Sequence, residues 1–183
     1  MNERQLEALS IIKNGYNLFL TGSAGTGKSF TIKAIIDYLN EINKNVAITA
    51  LTGCAAVLIN GQTIHSYLYL GISRNFDEIY KNICKFKANL NKLKNLDVII
   101  IDEISMMTPD LFDKLNELAK RIRSNTRPFG GIQVLLVGDF YQLPPVRKGD
   151  EPYMFVFEST SWKETVNISI ELTEIQRQNL FIR

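Results

Sequence analysis

Cysteine is scarce in this sequence, with Cys54 and Cys84 the only two among 183 residues. Two cannot form a disulfide framework, and neither has a partner at a metal-ligand spacing, which argues against a stapled secreted scaffold or a zinc finger. Histidine is rarer still: His65 is alone, with no nucleophile or metal partner in view. Long apolar runs are missing, since none approaches the roughly 20 residues of a membrane span. The opening Met1-Asn2-Glu3-Arg4-Gln5 lacks the apolar stretch of a secretory signal. The expectation is an intracellular protein of cytoplasm, nucleus or virus, neither secreted nor membrane-bound. Excess charge of one sign is also lacking: 21 Lys and Arg against 19 Asp and Glu leave a net +2. A dedicated nucleic-acid binder often carries far more, so any such role must be argued from motifs.

What remains is an ordinary globular composition, 45% apolar and 22% charged, of a length that suits one domain with a sizeable core. The segments alternate as in a parallel sheet with helices on both faces. Asn2, with Gln5 three residues on, predicts a capped helix to about Lys13 with Leu6, Leu9 and Ile12 inward. Apolar strands are expected at 17–21, 46–50, 98–101 and 132–137, with further short strands at 153–157 and 168–172. Helices are expected at 28–41, 55–59, 76–94, 109–123 and near Trp162. The 76–94 helix carries a stripe of Ile79, Ile83, Phe86, Leu90 and Leu93. Its lysines, Lys81, Lys85, Lys87, Lys92 and Lys94, read more simply as a solvated face than as a binding patch. Met106, Met107 and Trp162 are expected to pack.

One motif carries definite chemistry. Gly22-Ser23-Ala24-Gly25-Thr26-Gly27-Lys28-Ser29 matches G-x-x-x-x-G-K-[ST] and falls between an expected strand and an expected helix. Glycines let the backbone wrap a phosphate closely, and the N–H groups and helix N-terminus supply positive potential. Lys28 then reaches the β- and γ-phosphates of ATP, and the Ser29 hydroxyl can ligate Mg²⁺. A second strand, Val98 to Ile101, ends in Asp102 and Glu103. In a phosphate-loop enzyme the first acid supports the Mg²⁺ shell and the second polarises the attacking water. A third strand ends in Gly138-Asp139, with Gln142 beyond it. Gln142 is a candidate to sense the γ-phosphate, or else a turn residue with a solvated amide.

Taken in order, these segments resemble superfamily-one DNA helicases of the petite-integration-frequency family, relatives of the RecD-type helicases. The likeness runs over nearly the whole chain. It includes Thr49 to Ala56, Gly61-Gln62-Thr63-Ile64-His65-Ser66, Ile101 to Met106, Gly138 to Val146, Phe155 to Trp162 and Leu172 to Gln178. The Thr-Ile-His-Ser and Phe-x-Phe-Glu-Ser strings are its most specific parts. The resemblance implies a single RecA-like ATP-binding domain over residues 1–183, an α/β P-loop fold, and ATP hydrolysis driving movement on single-stranded DNA. It implies that Gln5 reads adenine and Arg177 reaches the γ-phosphate. It also implies that Thr52, Gly53, Thr63, His65 and Ser66 touch the DNA backbone, a hydroxyl and a backbone N–H being apt donors to phosphate. Family members work in DNA repair, recombination and telomere maintenance, move 5′ to 3′, and add a second RecA-like domain that closes the ATP cleft. Two other readings stay open: an ATPase acting on a partner other than nucleic acid, and a nucleotide-binding module without turnover.

Overall fold

The computed structural model describes residues 1–71, 75–145 and 154–175. Helix α1 (Glu3–Lys13) opens on a reciprocal capping box. Asn2 Oδ1 accepts the Gln5 N–H at 2.9 Å, and Gln5 Oε1 accepts the Asn2 N–H at 3.0 Å. The box fixes the helix start and turns Gln5 inward. The buried face is therefore Gln5, Ala8 and Ile12, and Leu6, expected inside, stands 53% exposed.

Strand β1 (Leu18–Gly22) leads through the glycine-rich loop to α2 (Lys28–Glu41), then β2 (Val46–Ala50), α3 (Gly53–Leu58), β3 (Gln62–Thr63) and α4 (Ile64–Leu68). Next come α5 (Phe76–Cys84), α6 (Lys87–Lys94), β4 (Val98–Asp102), α7 (Pro109–Arg123), β5 (Gln133–Val137), α8 (Trp162–Thr165) and β6 (Ser169–Leu172). The sheet order is β3-β2-β4-β5-β1-β6, and every pairing is parallel. Parallel strands are covered on both faces, which is why β4 and β5 read as unbroken apolar runs. Alternate residues divide between two cores. Ile99, Ile101, Val134 and Leu136 pack under α5, α6 and α7, while Ile100, Leu135, Val137 and Leu20 pack under α1 and α2. The expected layering of helices on both faces holds.

Two expectations fail locally. Residues 76–94 form two helices, because Phe86 is extended (φ −113°, ψ 110°) and 63% exposed rather than part of the stripe. The second helix is aimed by a tertiary anchor. The Arg123 guanidinium donates to the carbonyls of Leu93, Lys94, Leu96 and Gly130 at 2.6–3.1 Å, binding the end of α6 to α7. In place of a strand at 153–157, a 3₁₀ turn spans Val156–Glu158 (Tyr153 lies outside the described residues). Glu158 accepts the Phe155 N–H at 2.6 Å, and the Phe155 and Phe157 rings stack at 5.2 Å, both meeting Phe140 edge-on. The apolar alternation thus reports two rings on one side of a turn. Trp162 packs as expected, against Phe19, Phe112 and Phe140. Met107 is fully buried and Met106 half-buried.

Candidate active site

The functional segments leave the sheet at one edge, the carboxyl ends of the strands, where open α/β sheets bind ligands. Gly22 ends β1 at φ 147°, and a Cβ there would lie 2.5 Å from the Leu172 carbonyl oxygen of β6, so only glycine fits. Gly25 and Gly27 continue the loop at φ 84° and 89°. Buried Thr26 braces it from inside, its hydroxyl donating to the Ser23 carbonyl at 2.8 Å. Helix α2 then starts without a side-chain cap at Gly27. The unpaired N–H groups of its first turn and the positive end of its dipole therefore meet in the loop, the arrangement that binds phosphate. Lys28 lies over the same loop, its ammonium donating to the Gly22 and Ser23 carbonyls at 2.5 and 3.2 Å. Ser29 is solvent-exposed one residue on.

Two strands away, β4 delivers the acid pair. Asp102 is 8% exposed. Burial pushes its carboxyl up to about 6, against the pull of its bond from the Glu103 N–H at 2.9 Å. The Glu103 carboxylate adds to the rise, and the Lys28 ammonium opposes it, which places Asp102 within electrostatic reach of the phosphate loop. The sign follows directly. A carboxyl raised in the folded state holds its proton more tightly there, so ionising it costs stability as pH rises from about 4 to 6. A nearby cation offsets that cost. Glu103 itself adopts the left-handed conformation, φ 56° and ψ 39°. A non-glycine residue held there stores strain of order 1–3 kcal/mol, a mark of residues whose direction matters. It turns sharply out of the strand into the 3₁₀ turn Ile104–Met106.

Beyond β5, Asp139 organises the sensor loop. It is 6% exposed, and its carboxylate accepts the Tyr141 N–H at 3.0 Å and the Gln142 side-chain amide at 3.1 Å. Gln142 is exposed and tethered, so the turn and sensor readings of this residue are compatible. Asp139 was not singled out as a site residue in the sequence; an Asp heading a tight turn is the signal that finds it. Gln5 lies at the start of α1, 2% exposed, its carboxamide oxygen engaged in the capping box. Arg177 falls outside the described residues.

The five candidate DNA contacts come together at the far end of the same edge. Thr52 caps α3, accepting the Ala55 N–H at 3.2 Å, with Gly53 exposed beside it. Thr63 caps α4, accepting the Ser66 N–H at 3.2 Å and donating to the Ser66 hydroxyl at 3.1 Å, while His65 is exposed. The β2–β3 pairing of Ala50 with Thr63 sets the two segments side by side. One backbone rung ties them to the acid pair: Leu51 N–H donates to the Asp102 carbonyl at 3.2 Å. Among the described residues no helix is long and apolar enough to cross a membrane, and no group of three or more His, Cys, Asp or Glu could hold a metal.

A parallel sheet of this order, with its glycine loop, acid pair and sensor loop on one edge, defines a P-loop domain of the RecA-like kind. Comparison with known proteins narrows the class. A family model described as PIF1-like helicase matches residues 1–181, and the chain belongs to that family. It is 43% identical over 97% of its length to "ATP-dependent DNA helicase PIF1" of Saccharomyces cerevisiae, of which it covers 21%. The crystal structure of Pif1 helicase from Candida albicans superposes with a TM-score of 0.89 at 45% identity, over 96% of this chain and 40% of that one. A Bacteroides Pif1 helicase in complex with ADP-AlF3 and single-stranded DNA matches at TM-score 0.81 and 30% identity, over 97% of this chain and 43% of that one. The chain thus spans about a fifth of the yeast relative.

Proposed function

We propose that this chain is the front motor domain of an ATP-driven DNA helicase, hydrolysing Mg·ATP to move along single-stranded DNA. The observation that carries the reading is the acid pair at the end of β4, with buried Asp102 within electrostatic reach of Lys28 and Glu103 held in a strained outward turn. Lys28 neutralises the β- and γ-phosphates, the loop N–H groups hold them, and Glu103 orients and polarises the water. Gln142, tethered by Asp139, senses the γ-phosphate, and the family resemblance gives Arg177 a contact with the same phosphate. Gln5 reads adenine by sharing its oxygen, which has a second lone pair beyond the capping box.

The donor set fits Mg²⁺. Ser29 and Asp102 offer hard oxygen ligands, and the carboxyl of Asp102 is raised by burial in the way a divalent cation would relieve. When bound, the ion supplies neutralisation of phosphate charge. Thr52, Gly53, Thr63, His65 and Ser66 hold the DNA backbone, and the relative solved with ADP-AlF3 and single-stranded DNA supports that pairing of ligands.

These residues supply one wall of the ATP cleft. An arginine delivered across such a cleft is worth roughly 10³–10⁵ in rate. Residues 1–183 alone are therefore expected to bind nucleotide, hydrolyse it slowly and leave a forked duplex intact. The test combines calorimetry with Mg·ATP, phosphate release with and without single-stranded DNA, and amide-shift mapping of an oligonucleotide. Shifts confined to 52–53 and 63–66 are expected. An oligonucleotide that perturbs none of these residues would favour an ATPase with a partner other than nucleic acid.

A further inference from the structure

Away from the carboxyl edge, the sheet has an opening the motor reading does not use. Strand β3 is two residues long and pairs only with Thr49 and Ala50 of β2. The rest of β2, Val46 to Ile48, is an outer margin of the sheet. In a parallel ladder alternate residues bond to opposite neighbours. The Asn45 carbonyl accepts from Asp97 and Val98, and Leu51 N–H donates to Asp102, so the odd-numbered residues of β2 face β4. The N–H and C=O of Val46 and the N–H of Ile48 therefore turn outward with no strand beside them, whereas the Ile48 carbonyl accepts from the Gln62 N–H of β3 through the Thr49–Gln62 pairing. Gly61, at the start of β3, packs against the Ile48 carbonyl on this side, so the open stretch begins at the Ile48 N–H and runs back to Val46.

A cleft of about 650 Å³ runs along this margin, between β2 and the flank of α6. Val46 and Ile48 form one wall, and the amides of Asn60, Gln62, Asn91 and Asn95 line the rest. Such a lining offers donors and acceptors in either direction. The one charged side chain in it is Lys92, whose ammonium sits 3.9 Å over the Tyr67 ring. Lys92 belongs to a helix that carries Lys87 and Lys94 and no acid. Asp97, near the mouth, is already engaged by Lys44 and by the Asn45 N–H.

We propose that this cleft binds an extended acidic peptide of a partner protein, which adds a strand to the open margin of β2. The outward N–H groups of Val46 and Ile48 and the Val46 carbonyl between them are matched by another peptide backbone. A nucleic acid would find the lysines, but its phosphates only accept hydrogen bonds and leave the outward Val46 carbonyl without a donor. The basic helix beside the cleft selects carboxylates, with Lys92 placed to receive one. The site lies at the opposite end of β2 from Thr52, so peptide and nucleotide would occupy the domain together.

The probe is a fluorescein-labelled peptide alternating Glu and Val, titrated into residues 1–183 by anisotropy, with hydrogen exchange read at each amide. Micromolar binding is expected, with slowed exchange at Val46 and Ile48. Methylating alternate peptide nitrogens should weaken it at least about tenfold. Lys92→Glu should do the same, as should Val46→Pro, which removes an outward N–H at a strand position where proline is tolerated. ATP affinity should stay unchanged in both variants, which also reports that they fold. The proposal is overturned if the methylated peptide binds as well as the parent, or if nothing binds at millimolar peptide. It is also overturned if a single-stranded oligonucleotide displaces the peptide and itself protects Val46 and Ile48.

Discussion

Replacing Glu103 by glycine would separate the conformation of this residue from its chemistry. At φ 56° an L-residue sits in the left-handed region, at a cost of roughly 1–2 kcal/mol that glycine does not bear. Glycine gives back about 0.5–1 kcal/mol through its greater freedom in the unfolded chain. The balance favours the variant by about 0.5–1 kcal/mol. Removing the Glu103 carboxylate works in the same direction, because that charge helps raise the buried Asp102 carboxyl. For a domain of this size 1 kcal/mol moves Tm by roughly 2–4 °C. Glu103→Gly should therefore melt about 1–4 °C above the parent at neutral pH without nucleotide. Glu103→Gln keeps the strained backbone and loses only the charge, so it should melt within a degree or so of the parent. Both should bind Mg·ATP by calorimetry, and both should lose roughly 10²–10⁴ in single-turnover phosphate release. A glycine variant that melts below the parent would show that the turn is not strained. One that keeps its turnover would remove Glu103 from the chemistry.

Three other substitutions probe the frame around this site. Lys28→Ala should leave the circular dichroism spectrum unchanged and abolish calorimetric Mg·ATP binding; normal ATP affinity would sink the phosphate-loop assignment. Arg123→Met removes the donors to four carbonyls and should cost about 2–4 kcal/mol in urea melts. A loss below about 1 kcal/mol would mean that water replaces the guanidinium without penalty. At Asp113, burial pushes the carboxyl up, but bonds from Ser161 and Thr160 more than cancel it and hold the group below its usual 3.8. Its stabilisation is thus present above that value and lost as pH falls through the lowered one. Asp113→Asn should be the less stable protein at neutral pH and equal to the parent in strong acid, and a pH-independent gap would refute the linkage.

The legible features in the sequence were those fixed by neighbours along the chain. The glycine loop between β1 and α2, the Asn2–Gln5 box and the start of α7 at Pro109 each depend on residues a few positions apart, and each stands where expected. The four central strands were readable because burial on both faces demands unbroken apolar runs. What escaped was set from a distance. Nothing near Phe86 announces a break, and the Arg123 guanidinium that anchors the end of α6 is far along the chain. The two-residue β3 is too short to show a period, and its pairing is imposed by β2. Phe155 and Phe157 alternate like strand residues, but the partner that decides their geometry is Phe140. At the candidate site, the sequence names the residues that the fold brings to one sheet edge, whereas the backbone twist at Glu103 has no sequence signature and the Asp139 tether shows only as an Asp heading a turn.

The sheet order also fixes when in the life of the chain this site can exist. Strand β1, which carries the phosphate loop, lies between β5 and β6, pairing Leu18 with Leu135 and Leu20 with Ile170. Both partners are made more than a hundred residues later, and the ends of so long a loop must be brought together before either pairing forms. A chain emerging during synthesis therefore displays the whole glycine loop early, yet cannot set Gly22 against the Leu172 carbonyl until β6 has appeared. Under the proposed function, nucleotide binding would report completed folding, and Mg·ATP present during synthesis would select finished domains while ignoring growing ones.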